Sequence, residues 1–179
     1  MQHWVALLRG INVGGHNKVP MADLRQLCAG LGWAGVQTYV ASGNLVFAAT
    51  GTAQGLADTL CRAMAAQMGV DVALIVLPGA AIRAALDACP YDPQAGSHVH
   101  IFFLWVDPAL DWAVYEALRR PDEALSVQGR IAFLFAPDGI GRSKLAQKLH
   151  QVVTGTAMTA RNLNTLRKLV EMLDAGSAG

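Results

Sequence analysis

Arg9, Gly10, Asn12, Gly14, Gly15, Asn17 and Lys18 are gathered in the stretch LLRGINVGGHNKVP, and Ser42, Gly43 and Asn44 form a second polar group in TYVASGNLVF. Together these residue types describe an anion holder. Arginine and lysine neutralise charge, asparagine amides fix orientation by hydrogen bonds, and glycines in unusual dihedrals leave backbone N–H groups open to a ligand. A helix beginning just after Lys18 adds the partial positive charge of its N-terminus. Two groups in the second half have a similar character. Lys144 follows the glycines of DGIGRSKL, and Arg161 and Asn162 lie in TARNLNT, before a helix that Asn162 is expected to cap with the Arg161 guanidinium pointing the same way as its free N–H groups. A conformational reading stands beside the chemical one: glycine and asparagine serve turns, Arg9 serves solubility, and TARN makes an ordinary helix cap beside a surface cation. One comparison favours chemistry for the first loop. The matching connection in the second half, VDPAL, is expected to need almost no residues, so the polar loop is longer than its geometry demands.

Named nucleotide motifs do not fit this spacing. Gly10, Gly14 and Gly15 do not make G-x-G-x-x-G, no acid follows the second strand, and Asn17-Lys18-Val19 is not the Gly-Lys-Ser/Thr of a Walker loop. The lack of acids in the polar set also counts against magnesium-dependent phosphoryl transfer. His98 and His100 are expected on one face of a strand, as metal ligands would be, but no third ligand accompanies them and no metal site is assigned. His3, His16 and His150 are isolated, and Ser42-Gly43-Asn44 is not the G-x-S-x-G elbow of a hydrolase. Cys28, Cys61 and Cys89 are odd in number and widely spaced, which fits thiols on core faces and neither a disulfide framework nor a zinc site. The sequence therefore names no catalytic residue and no cofactor, and leaves open whether the protein is an enzyme.

The polar residues need elements to position them. His3 to Gly10 reads as a central strand, apolar on both faces, since Trp4, Ala6 and Leu8 alternate with Val5 and Leu7. Pro20 opens a helix in which Met21, Leu24, Leu27, Cys28 and Leu31 recur at helical spacing. VQTYVA and LVFAA form a hairpin about Ser42-Gly43-Asn44, Ala53 to Met68 forms a helix with Leu56, Leu60, Met64 and Met68 on one face, and VDVALIVL is a fourth strand ended by Pro78-Gly79. This βαββαβ order is the ferredoxin-like unit, whose first strand lies between the third and fourth and so brings Arg9-Gly10 beside Ser42-Gly43-Asn44. A short helix, AAIRAALDAC, and a turn-rich connector, PYDPQAGS, follow.

The second half reads as a looser copy: HIFFLWVD is a strand, ALDWAVYEALRR a helix, LSVQGRIAFLFA a hairpin turning near Gln128-Gly129, and Ser143 to Val152 a helix. The last helix carries Leu163, Leu166, Leu169, Val170 and Leu173 on one face. The expected fold is thus α+β, with duplicated ferredoxin-like units packed into one globular body: residues 1–78, a connector over 79–97, and residues 98–179 with the C-terminal helix. The second unit is expected to cover the open face of the first. An RNA-recognition-module reading is disfavoured, because the middle strands offer only Trp4 and Phe47 as aromatics.

A hydrophobic fraction of 53% with 15% charged residues predicts a large core. Disorder is expected only at the DAGSAG tail. Apolar runs such as ALIVLPGAAI and VHIFFLWV are far shorter than the roughly 20 residues of a membrane helix, and MQHWVALLRG lacks the basic region and cleavage site of a signal peptide. A cytoplasmic protein without a membrane partner is expected. The net charge of +1 hides two acid-poor regions: Asp23 is the only acid before Asp58, and none lies between Asp138 and Glu171. Their cations would favour anions wherever they share a surface.

LLRGINVGGHNKVPM, TYVASGNLVF and TARNLNT resemble the bacterial family catalogued as domain of unknown function 1697, along nearly the whole chain. The resemblance implies a duplicated ferredoxin-like fold and brings no established activity. It singles out Arg161, Asn162, Asn164 and Thr165, and the chain departs from it at Leu163, where relatives more often place tryptophan. The expected function is binding of a small anionic or phosphorylated ligand, nucleotides included, at the edge made by the first loop and the first hairpin. The alternatives are a nucleic-acid-binding protein using the same positive edge, and a structural module whose polar motifs lock the two repeats together.

Overall fold

A computed structural model describes residues 1–15 and 17–177; His16, Ala178 and Gly179 lie outside the described residues, as does the Ser177 side chain. The fold is mixed α+β with antiparallel sheets, and its contacts divide it into residues 1–84 with 168–179, and residues 85–167.

In the first unit β1 (Gln2–Leu8) leads through the polar loop to α1 (Met21–Gly30), then β2 (Ala34–Tyr39), β3 (Asn44–Ala49), α2 (Ala53–Met68), β4 (Leu74–Pro78) and the start of α3 (Gly79–Asp87). The sheet order is β2-β3-β1-β4, with β1 antiparallel to both neighbours. Alternation decides the packing. Trp4, Ala6 and Leu8 join Leu24, Leu27, Leu45, Phe47, Leu56, Leu60 and Met64 in one core, while Val5 and Leu7 on the other face of β1 are also fully buried. Trp33 stacks on Phe47 at 4.1 Å, so the aromatics expected to be scarce on the sheet are spent in the core. Thr52 caps α2 by accepting from the Gly55 N–H, and Gly69 ends it in the left-handed region.

Several boundaries differ from the sequence reading: β1 ends at Leu8 and not Gly10, and β2 covers Ala34–Tyr39 where VQTYVA was expected. The hairpin loop runs from Val40 to Gly43, and Asn44 is already the first residue of β3, paired with Leu7. β4 starts only at Leu74 and takes in Pro78, while Gly79 opens α3 instead of terminating the strand. Because β4 is an edge strand, the missing N–H of Pro78 interrupts no inner ladder.

The second unit holds β5 (Val99–Leu104), β6 (Ala109–Leu110), α4 (Trp112–Leu118), β7 (Ala124–Gln128), β8 (Ile131–Phe135), α5 (Lys144–Gln147), α6 (Leu149–Val152), β9 (Val153–Thr154), β10 (Met158–Asn162) and the first residues of α7 (Leu163–Ser177). Its main sheet runs β10-β5-β8-β7, and β6 pairs with β9. Three expectations fail here. ALDWAVYEALRR begins as strand β6 and turns helical only after Asp111, which caps α4 by accepting from the Val114 N–H. The expected helix over Ser143 to Val152 breaks at Lys148 into two single turns. VDPAL is not a near-absent linker either: residues 105–111 separate β5 from α4, so the excess length of the first loop, residues 9–20, is smaller than the sequence implied. The predicted apolar face of α7 is buried at Leu163, Leu166, Leu169 and Leu173, and the helix continues through Ser177, past the start of the expected disordered tail.

Candidate functional site

The polar loop leaves β1 at Arg9, whose backbone N–H bonds the Ala73 carbonyl, while the Leu8 N–H bonds the Gly43 carbonyl. The end of β1 is thereby clipped to the hairpin loop on one side and to the approach to β4 on the other. Among the described residues of the loop, Gly10, Asn12, Gly14, Gly15 and Asn17 take positive φ. Asparagine tolerates this region better than other side chains do because its short amide bonds locally.

Asn12 is the centre of the loop. Its Oδ1 accepts from the Val19 N–H at 2.8 Å, its Nδ2 donates to the Val19 carbonyl at 2.9 Å, and the same Nδ2 donates to the Ala41 carbonyl in the hairpin loop at 2.8 Å. The side chain thus pairs with Val19 as a neighbouring strand would and ties the two polar loops together. A backbone bond from the Asn12 N–H to the Asn17 carbonyl and a side-chain bond from Asn17 Nδ2 to the Gly10 carbonyl close the loop on itself. Asn44 is also turned inward. It is 0% exposed, and its Nδ2 donates to the Tyr39 carbonyl and to Ser42 Oγ. Gly43, at φ +85, is a forced choice: a Cβ there would lie 2.7 Å from Leu8 Cβ and 2.9 Å from Ile11 Cδ1.

The cations do the opposite. Arg9 and Lys18 are exposed, and neither pairs with a carboxylate among the described residues. Lys18 overlooks two open depressions of unit 1. One, of about 440 Å³, is lined by Asn12, Gly15, Lys18, Val19 and Pro20. The other, of about 560 Å³, runs from Lys18 along α1 to Gln67 and Met68 at the end of α2. The α1 N-terminus beside them has no side-chain cap, so its first N–H groups remain available. Each of the two polar loops also carries an exposed valine, Val13 in the first and Val40 in the hairpin, and Val40 holds φ +50, a strained conformation for a β-branched residue.

The unit 2 residues are placed differently. Lys144 is exposed in the first turn of α5, which Ser143 caps by accepting from the Ala146 N–H. Asn162 caps α7, its Oδ1 accepting from the Thr165 N–H at 2.9 Å. Arg161 is 7% exposed in β10, so it is not a surface cation, and its guanidinium donates to Thr159 Oγ1 and to the Ala160 carbonyl. Burial lowers its pKa to about 10. The Asn164 side chain lies against Gly96, where a Cβ would overlap it.

Other candidate chemistries find no support in the geometry. His98 sits in a 3-10 turn and not on the strand with His100, and no cluster of three metal-ligating side chains occurs among the described residues. His16 lies outside them. The three cysteines are free; burial pushes the Cys28 thiol up to about 12, and burial followed by Asp58 and Asp71 raises that of Cys61. Sequence reasoning had missed Gln26 and Gln67 along the second depression; only the structure shows that these exposed residues share a wall with Lys18.

No helix among the described residues is long and apolar enough to cross a membrane. Comparison with curated proteins gives no match. Among solved structures, the chain is similar to a conserved bacterial protein from Streptococcus pneumoniae, with 29% identity, a TM-score of 0.72, and coverage of 96% of this chain and 98% of that one. The family model described as "Protein of unknown function (DUF1697)" matches residues 1–133, which takes in the polar loop and the first hairpin but stops before TARNLNT. The chain belongs to this family of unknown function.

Proposed function

We propose that the protein binds a small anionic or phosphorylated ligand, nucleotides within the class, at the rim formed by residues 9–19 and 40–43. The observation that carries the reading is the division of labour in the loop. Asn12 and Asn17 spend their amides on holding its shape, while Arg9 and Lys18 face solvent without carboxylate partners among the described residues. A loop locked in this way keeps the backbone N–H groups around Gly10, Gly14 and Gly15 in fixed directions, which lowers the ordering cost of holding an anion. Ser42, Gly43 and Asn44 act by position: they anchor the far wall through Leu8, Tyr39 and each other.

The wider reading is of two ferredoxin-like repeats, residues 1–78 and 98–179, joined by 79–97. It is supported by the strand orders, since β4-β1-β3-β2 and β10-β5-β8-β7 place the corresponding strands in the same order: β1 and β5 are both inner strands flanked by the last strand and the second hairpin strand of their own set. A cytoplasmic location fits three free thiols.

Calorimetric titration with inorganic phosphate, pyrophosphate, sugar phosphates and nucleotides tests the function. At least one is expected to bind, with affinity falling roughly tenfold, about 1.4 kcal/mol, in Lys18→Ala and in Arg9→Ala. Binding that ignores both substitutions, or none at all, overturns the proposal. Nucleic acid is the second reading, favoured by the exposed cations Arg9, Lys18 and Arg25 against a single acid in the same stretch. It predicts a steep loss of affinity with salt in a gel-shift titration, and a flat response excludes it. The inward hydrogen bonds of Asn12 and Asn44 give the structural reading its weight; on that reading the variants lower stability and no ligand binds.

A further inference from the structure

We infer that the ligand is a phosphorylated polyol or sugar, with its hydroxylated part lying along α1 towards the end of α2; this rests on the anion reading above and narrows it. The observation is the second depression and its continuity with the first through Lys18 and Pro20. Beyond Lys18 its wall changes character. Asp23 and Gln26 from α1 and Gln67 from α2 line it, with Leu27 and Met68 as the apolar component. Each glutamine amide both donates and accepts, and a carboxylate accepts from two hydroxyls at once, so these three side chains match a row of hydroxyl groups.

Charge and shape both argue for this class. Lys18 and Asp23 make the depression neutral as a whole, which suits a ligand anionic at one end and uncharged along the rest. Asp23 would repel a second phosphate placed there, so a polyphosphate chain is disfavoured. Among the described residues none that lines either depression is aromatic; Trp4, Trp33 and Phe47 of this unit are buried and Tyr39 is half-buried at the end of β2, outside both linings, so the described walls offer a nucleobase no stacking surface. At about 440 and 560 Å³ the two depressions lie in the size range of small-ligand sites. Leu27 and Met68 offer the C–H face of a sugar ring its contact.

Calorimetry on the full chain with inorganic phosphate, glucose 6-phosphate and adenosine monophosphate as probes decides the matter. The sugar phosphate is expected to bind at least about tenfold more tightly than inorganic phosphate. The Gln26→Ala/Gln67→Ala double variant, altered only at exposed helix positions, is expected to lose that gain while keeping its affinity for inorganic phosphate and its melting temperature. If the sugar adds nothing over phosphate, if the nucleotide binds better, or if the gain survives in the double variant, the narrower inference falls and the anion reading stands. If inorganic phosphate and both organic phosphates fail to bind, both fall.

Discussion

Asn12 is expected to be the most costly polar side chain to remove from the loop, and the cost can be built from its three hydrogen bonds. The reciprocal pair with Val19 is partly buried and is worth about 1 kcal/mol per bond, while the bond to Ala41 is exposed and is worth about half that. Asn12→Gly keeps the backbone free to hold φ +55 and so isolates the side chain; it is expected to destabilise by about 2.5 kcal/mol. Asn12→Ala adds the left-handed penalty of a Cβ, about 1 kcal/mol more. For a chain of this size 2.5 kcal/mol lowers the melting temperature by about 7 °C. Urea unfolding should give the same ordering with an unchanged denaturant slope, since neither variant alters the surface exposed on unfolding. Hydrogen exchange locates the effect, because the Val19 N–H loses its acceptor and should lose protection before the β1 amides do. Asn12→Asp is expected to be at least as damaging as Asn12→Gly: it keeps the acceptor but turns a carboxylate towards two carbonyl oxygens. If Asn12→Gly unfolds within about 0.5 kcal/mol of the wild type, the side chain does not hold the loop, and the division of labour between amides and cations is refuted.

Gly43→Ala should cost about 3 kcal/mol in urea unfolding, from the left-handed backbone and from overlap with Leu8 and Ile11, whereas Gly10→Ala, at φ +69 with nothing near its would-be Cβ, should cost only about 1 kcal/mol. Equal costs would show that the approach of the hairpin loop to β1 is not tight. His100 supplies a pH prediction. Burial lowers its pKa in the folded state, and its neighbours across the sheet, Leu134 and Asn162, carry no charge, so the unfolded chain binds the proton more readily. Stability is therefore lost as pH falls from the ordinary histidine value to the lowered one, by at most about 1.4 kcal/mol per pH unit, and is unaffected above that window. His100→Gln should flatten that part of the pH–stability curve; an unchanged slope would remove His100 as its source.

Much of unit 1 was legible because its elements obey simple patterns. β1 is a short unbroken apolar run, buried on both faces, and Ala53 to Met68 repeats its apolar residues every four positions until a left-handed glycine stops it. β10 escaped for the opposite reason. In Met158–Asn162 the buried positions are Thr159 and Arg161, so the pattern that marks a strand is carried by polar side chains, which bond each other. β6 was hidden by length, since two residues paired with Val153 and Thr154 leave no period to detect, and they look like the first turn of the helix that follows. The site residues were legible by type but not by direction. Composition identified Arg9, Asn12, Lys18 and Asn44 as polar together; it could not tell that the two amides face the backbone and the two cations face water.

That difference in direction joins the stability argument to the functional one. If the loop only needed to turn the chain from β1 to α1, its left-handed residues would suffice, and an exposed lysine, Lys18, beside an uncapped helix N-terminus would add like-charge repulsion without return. Conversely, an anion site on a loosely held loop would spend binding energy on ordering it. Asn12 removes that expense before a ligand arrives. Lys18→Ala and Asn12→Gly should therefore part company: the first weakens ligand binding at unchanged stability, while the second lowers stability and weakens binding of the same ligand through a more unfavourable entropy. If Lys18→Ala instead destabilises as much as Asn12→Gly does, the cation belongs to the scaffold, and the loop is a structural device throughout.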